Sequence, residues 1–188
     1  MAEAFYWVLV ILLILSLYGI DARRREKRRR FILKENMPKE LSQARLIHSE
    51  HYISTLLPRK MHGTLDQLYR LTSGLHVLVD SKTRDKHQVY RKDIVQISIY
   101  RVILARKGLD MADYAFFRVV TPDGVEYIKR NLLTEEEAIN EFDRTQALLD
   151  GKATPSNVKH KSMCARCPQQ INCDDWQFLS RQISKETQ

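Results

Sequence analysis

Between Gly63 and Tyr100 the chain carries an acid, a second acid with a lysine, and a glutamine with a tyrosine. In order these are Gly63-Thr64-Leu65-Asp66, Asp80-Ser81-Lys82 and Gln96-Ile97-Ser98-Ile99-Tyr100. Their types and spacing suit hydrolysis of a phosphodiester. That reaction needs a metal to neutralise the phosphate, a lowered pKa for the attacking water, and stabilisation of the leaving group. Asp66 and Asp80 could supply carboxylates to Mg²⁺ or Mn²⁺; Mg²⁺ typically takes one or two and keeps several waters. Lys82, two positions beyond Asp80, falls on the same side of a strand. Gln96 and Tyr100, four apart, share one face of a helix.

The elements that must position these residues can be read around them. Residues 46–56 are rich in β-branched and aromatic types and predict a strand. Two more strands are predicted, from Leu65 to Leu71 and from Leu75 to Asp80, joined by the turn Thr72-Ser73-Gly74. The near-continuous apolar run in the second fits a strand covered on both faces. The spacing predicts a helix from His87 to Lys107, stopped by Gly108. Two strands, Tyr114 to Val120 and Val125 to Lys129, flank Thr121-Pro122-Asp123-Gly124. Thr134 to Glu137 is a capping box that opens a helix to Asp150, closed by Gly151. The order predicts an α/β domain over residues 46–151.

Ala4 to Ile20 carries no charge, and as a helix its 17 residues reach roughly 25 Å. A bilayer core is about 30 Å thick. Tyr6, Trp7 and Tyr18 stand near the two ends, where interfacial aromatics would sit. Arg23 to Arg30 follow at once, so residues 1–22 are expected to be a single-pass anchor with the following domain in the cytoplasm. Residues 23–45 are expected to be a basic linker, or a helix continuing from the anchor and ending before Pro38. Of the formal charge of +8, residues 21–30 supply +5, from seven basic and two acidic residues. That run reads as a topology signal and an anionic-lipid contact. The rest of the chain is mildly basic, which neither demands nor excludes DNA.

In its three elements the chain resembles the PD-(D/E)XK nuclease superfamily, and within it the RecB-like branch. That branch pairs a Gly-x-x-Asp element with an acid-x-Lys element on the next strand and a Gln-x-x-x-Tyr element on the following helix. The resemblance covers about residues 46–173. It implies a restriction-endonuclease-like core, a mixed central sheet flanked by helices. It implies that Asp66 and Asp80 bind the metal with the Ser81 carbonyl, and that Lys82 positions the water. Gln96 and Tyr100 would support the site and contact DNA. An upstream His or Glu often completes such sites; His48, Glu50 and His51 are the candidates.

Residues 152–188 hold all three cysteines, as Cys164-x-x-Cys167 followed by Cys173. The pattern resembles the C-terminal clamp of RecB-like nucleases that hold an iron–sulfur cluster, including CRISPR-associated adaptation exonucleases. Those use a fourth cysteine upstream, which this chain lacks. Iron–sulfur ligation, a zinc site completed by His160, and an empty relic all remain open.

The expected activity is that of a membrane-anchored, metal-dependent deoxyribonuclease acting on DNA with single-stranded character. The rival expectations are an inactive nuclease-fold module that binds DNA or a protein at the membrane, and a structural anchor whose cysteines bind zinc.

Overall fold

The computed structural model describes residues 2–153, without the side chains of residues 2–5, 8 and 9. Cys164, Cys167, Cys173 and His160 lie outside the described residues. The elements run α1 (Ala2–Lys34), α2 (Lys39–Gln43), β1 (Arg45–Thr55), β2 (Met61–Arg70), β3 (His76–Thr83), α3 (Arg91–Arg106), β4 (Tyr114–Thr121), β5 (Gly124–Asn131) and α4 (Glu135–Leu149). Of the described residues, those up to Phe142 pack as one unit, and those from Asp143 belong to a second. Every residue from Gly63 to Tyr100 lies in the first.

The strands form one mixed sheet in the order β1-β2-β3-β4-β5. Strands β1, β2 and β3 are an antiparallel meander, and β4 pairs with β5 as an antiparallel hairpin. Only β3 and β4 run parallel, so α3 is the crossover between them. This is the α/β arrangement that the order of elements predicts, with the mixed sheet and flanking helices that the resemblance implies.

Each sheet face has its own core. Leu65, Leu68, Leu78, Phe117 and Val119 pack with Ile97, Val102 and Ile103 of α3. On the other face Val77, Val79, Tyr69 and Phe116 pack with Leu41 of α2. The alternation Val77/Leu78/Val79 explains the apolar run in the sequence: a strand sandwiched on both sides has no polar face.

Three strand and helix boundaries around the site differ from expectation by three or four residues. β2 begins at Met61 rather than Leu65, and β3 continues beyond Asp80 to Thr83. Helix α3 begins at Arg91 rather than His87, because the Asp93 carboxylate accepts the Tyr90 N–H at 2.8 Å and fixes the helix start there.

Helix α1 continues unbroken through the basic run to Lys34, and Pro38 separates it from α2. Tyr6, Trp7 and the apolar residues from Ile11 to Leu17 are exposed. Among the described residues no helix is long and apolar enough to cross a membrane. The described part of α1 thus does not by itself supply the expected span.

Candidate active site

Asp80 follows Leu78 by two positions on β3, so it points to the α3 side, and Lys82 does the same two positions later. On β2 the alternation changes phase. Met61, Leu65 and Leu68 all join the α3-side core, although a regular strand would send Leu65 and Leu68 to opposite faces. The register between β1 and β2 skips the Glu50/Asp66 pair, and Glu50 has a φ of 48°. The phase change brings Asp66 to the side of Asp80. The β2–β3 ladder ends at Gln67↔Val79, so the two aspartates stand one step beyond its last pair.

The contacts form a chain. The Ser81 N–H donates to Asp66 Oδ2 at 2.7 Å, which fixes that carboxylate against β3. Lys82 Nζ lies 2.9 Å from Asp80 Oδ2 and donates to Gln96 Oε1 at 3.3 Å. Gln96 Nε2 donates to the Tyr100 hydroxyl at 3.1 Å. The Tyr100 ring in turn lies against the backbone of Gly63. A β-carbon at that position would fall 2.4 Å from Tyr100 Cε1 and 2.7 Å from its hydroxyl oxygen. The glycine three residues before Asp66 is therefore the floor on which Tyr100 rests.

Asp80 is almost wholly buried, at 2% exposure. Burial pushes its carboxyl pKa up; the Lys82 ammonium opposes this, and the charges of Asp66 and Asp93 add to it. Its Oδ2 makes no hydrogen bond, so the 2.9 Å approach of Lys82 is an ion pair without hydrogen-bond alignment. A buried carboxylate oxygen whose close partner is one ammonium group, beside a second carboxylate, is a ligand set that a hard divalent cation would also satisfy.

Among the described residues no three His, Cys, Asp or Glu side chains group as a metal site. His48, Glu50 and His51 are not drawn into such a group. They sit on edge strand β1 and are exposed, and the rings of His48 and His51 stack on each other at 4.3 Å.

Sequence reasoning missed one pair. Arg84, just past β3, donates through Nη2 to both oxygens of Asp93 at 2.7 Å, and its Nη1 donates to the Gln88 carbonyl at 2.6 Å. Its guanidinium lies 4.5 Å from the Tyr90 ring centroid. Both side chains of the ion pair are largely buried. The pair ties the first turn of α3 to the end of β3, and so sets where Gln96 stands above Lys82. Its residues are nine apart across a loop, with no periodicity to announce it.

No family model matches the chain, and no curated protein matches it. Among solved structures the chain is similar to the crystal structure of SSO0001, with a TM-score of 0.46 and 16% sequence identity. The likeness covers 68% of this chain and 59% of that one, so the chain spans less than two thirds of that structure's length.

Proposed function

We propose that the chain is a metal-dependent deoxyribonuclease of the RecB-like PD-(D/E)XK type, tethered to a membrane by α1. The observation that carries this reading is the convergence of Asp66, Asp80, Lys82, Gln96 and Tyr100 from two strands and one helix, linked through Ser81. Isolated acids or an isolated lysine would be ordinary surface residues. A buried, donor-poor carboxylate costs stability, and here it faces a second acid and an ammonium group.

Asp66, Asp80 and the Ser81 carbonyl would hold Mg²⁺ or Mn²⁺. When bound, that ion supplies charge neutralisation at the phosphate and acidifies a coordinated water. Lys82 lies next to Asp80 and is held there by Gln96, where it can orient the attacking water by hydrogen bonding. Tyr100 holds Gln96. The substrate is DNA with single-stranded character. The tether rests on the uncharged run Ala4 to Ile20, its exposed apolar side chains, and the arginines that follow. The cysteine triplet is assigned to an iron–sulfur cluster, or to zinc with His160.

The test is cleavage of labelled single- and double-stranded DNA by the full chain in detergent, with Mg²⁺ or Mn²⁺. Lys82→Ala and Asp80→Asn are each expected to lower the rate by about 10²-fold or more. Unchanged rates in both would trace the cleavage to a contaminant. Binding without any cleavage by the wild-type chain would favour an inactive DNA-holding module.

A further inference from the structure

The meander is lopsided. β1 and β2 pair from Arg45↔Arg70 to Thr55↔Met61, whereas β2 and β3 pair only from Gln67 to Arg70. Beyond Gln67 the outer part of the β1–β2 hairpin therefore runs without backbone pairing to β3, as a two-stranded arm. Ile53 and Met61 fasten one side of that arm into the core with α3. At its tip lie Leu56, Leu57, Pro58, Arg59 and Lys60.

Leu56 and Leu57 are 76% and 71% exposed. Two adjacent leucines held out at a hairpin tip are not core residues that failed to pack. The Thr55 hydroxyl grips Leu57 from both sides, donating to its carbonyl at 2.9 Å and accepting its N–H at 3.3 Å. Arg59 donates to the Pro58 carbonyl at 3.1 Å. These bonds shape the loop and hold the leucines outward, with two cationic residues directly behind them.

We propose that this tip is a wedge for the end of a DNA duplex: Leu56 and Leu57 enter the base stack while Arg59 and Lys60 lie against phosphates. The inference rests on the nuclease reading and deepens it. Apolar side chains that unstack a base step, flanked by cations, are a recurring way for proteins to open or kink DNA. Location favours DNA over a lipid surface or a protein partner, since the tip shares strand β2 with Gly63 and Asp66. From Lys60 to Asp66 is six residues, about 20 Å along a strand, or roughly six base-pair steps. A wedge at that distance would supply the single-stranded character that the site requires from a duplex that lacks it.

The test uses the full chain in detergent, with chelator present so that nothing is cut. The probes are duplexes carrying 2-aminopurine at successive positions from one end. Binding is read by anisotropy and unstacking by 2-aminopurine fluorescence. The wild-type chain is expected to raise fluorescence about twofold or more at one or two neighbouring positions. Leu56→Ser/Leu57→Ser, both exposed and so harmless to folding, is expected to abolish that rise. With Mg²⁺ restored, the same variant should cut a duplex about tenfold more slowly while cutting single strands at the wild-type rate. Tight binding with no rise, or an equal rise in the variant, overturns the wedge and leaves the nuclease reading standing. A variant that loses affinity for anionic vesicles but keeps both DNA signals makes the tip a lipid contact instead. Failure of the wild-type chain to bind any DNA would sink the nuclease reading and the wedge together.

Discussion

Asp80 is held where a carboxylate is uncomfortable. Its raised pKa means the folded chain binds that proton more tightly than the unfolded chain, whose value lies near 3.8. The contribution of this group to stability is therefore most favourable at low pH. It declines as pH rises through the folded value and is constant above it. At neutral pH Asp80 is a net cost in the absence of metal. Asp80→Asn is accordingly expected to raise the melting temperature in chelator at pH 7–8 while abolishing cleavage, a trade common at active sites. A lower melting temperature would mean that the Lys82 pairing outweighs the desolvation. Gly63 gives a second residue-scale test. Gly63→Ala drives a β-carbon into the Tyr100 ring, with an expected cost of about 1–3 kcal/mol. In a Tyr100→Ala background the clash has no partner, so the same substitution should cost much less. Equal costs in both backgrounds would show that the glycine serves something other than the tyrosine.

At the scale of elements, the site depends on how α3 sits over β3. The Arg84–Asp93 pair and the Asp93 bond to the Tyr90 N–H fix that relation. Breaking a largely buried pair by removing one partner typically costs 3–5 kcal/mol. Arg84→Ala is expected to lower the unfolding free energy by an amount of that order, read as a lower denaturant midpoint, and Arg84→Lys to recover only part of it, because an ammonium cannot reproduce the fork. A midpoint unchanged by Arg84→Ala would remove the pair from this role.

The elements also show why some of the molecule is legible from sequence. The strand that carries Asp80 announces itself through Val77, Leu78 and Val79, which are buried on two faces. The turn at Thr72-Ser73-Gly74 is equally plain; Gly74 there has a φ of 95°. β2 is harder to read, because the phase change between Leu65 and Leu68 breaks the alternation that marks a strand. Near its start His62 and Thr64 are exposed. The start of α3 is hidden because Val89 continues the helical spacing into a loop. Which strands run parallel follows from the crossover rather than from any local pattern.

At the scale of the whole first unit, the far face of the sheet anchors α1. Arg28 reaches back from α1 to the carbonyls of Ser42 and Ala44 at 3.1 and 2.7 Å. Glu35, just past α1 and buried, accepts from Arg118 Nε at 2.6 Å. Tyr127 lies beside this pair, its phenol pushed up to about 12 by burial and by the Glu35 charge. Part of the basic run is thus bound to the domain rather than offered to lipid. Glu35→Ala is expected to destabilise the domain by about 2–4 kcal/mol in chemical denaturation, since it strands a partly buried arginine. Cleavage by the folded fraction should be unaffected, because Glu35 and Arg118 lie on the face opposite Asp80. Loss of cleavage without loss of stability would contradict that separation.

The central claim is that two aspartates converge on one divalent cation. Mn²⁺ binding to the full chain, followed by titration calorimetry or by the electron paramagnetic signal of free Mn²⁺, tests it most directly. The account predicts a site that Asp66→Asn and Asp80→Asn each weaken by about tenfold or more. Mn²⁺ affinity left unchanged by both substitutions would contradict it.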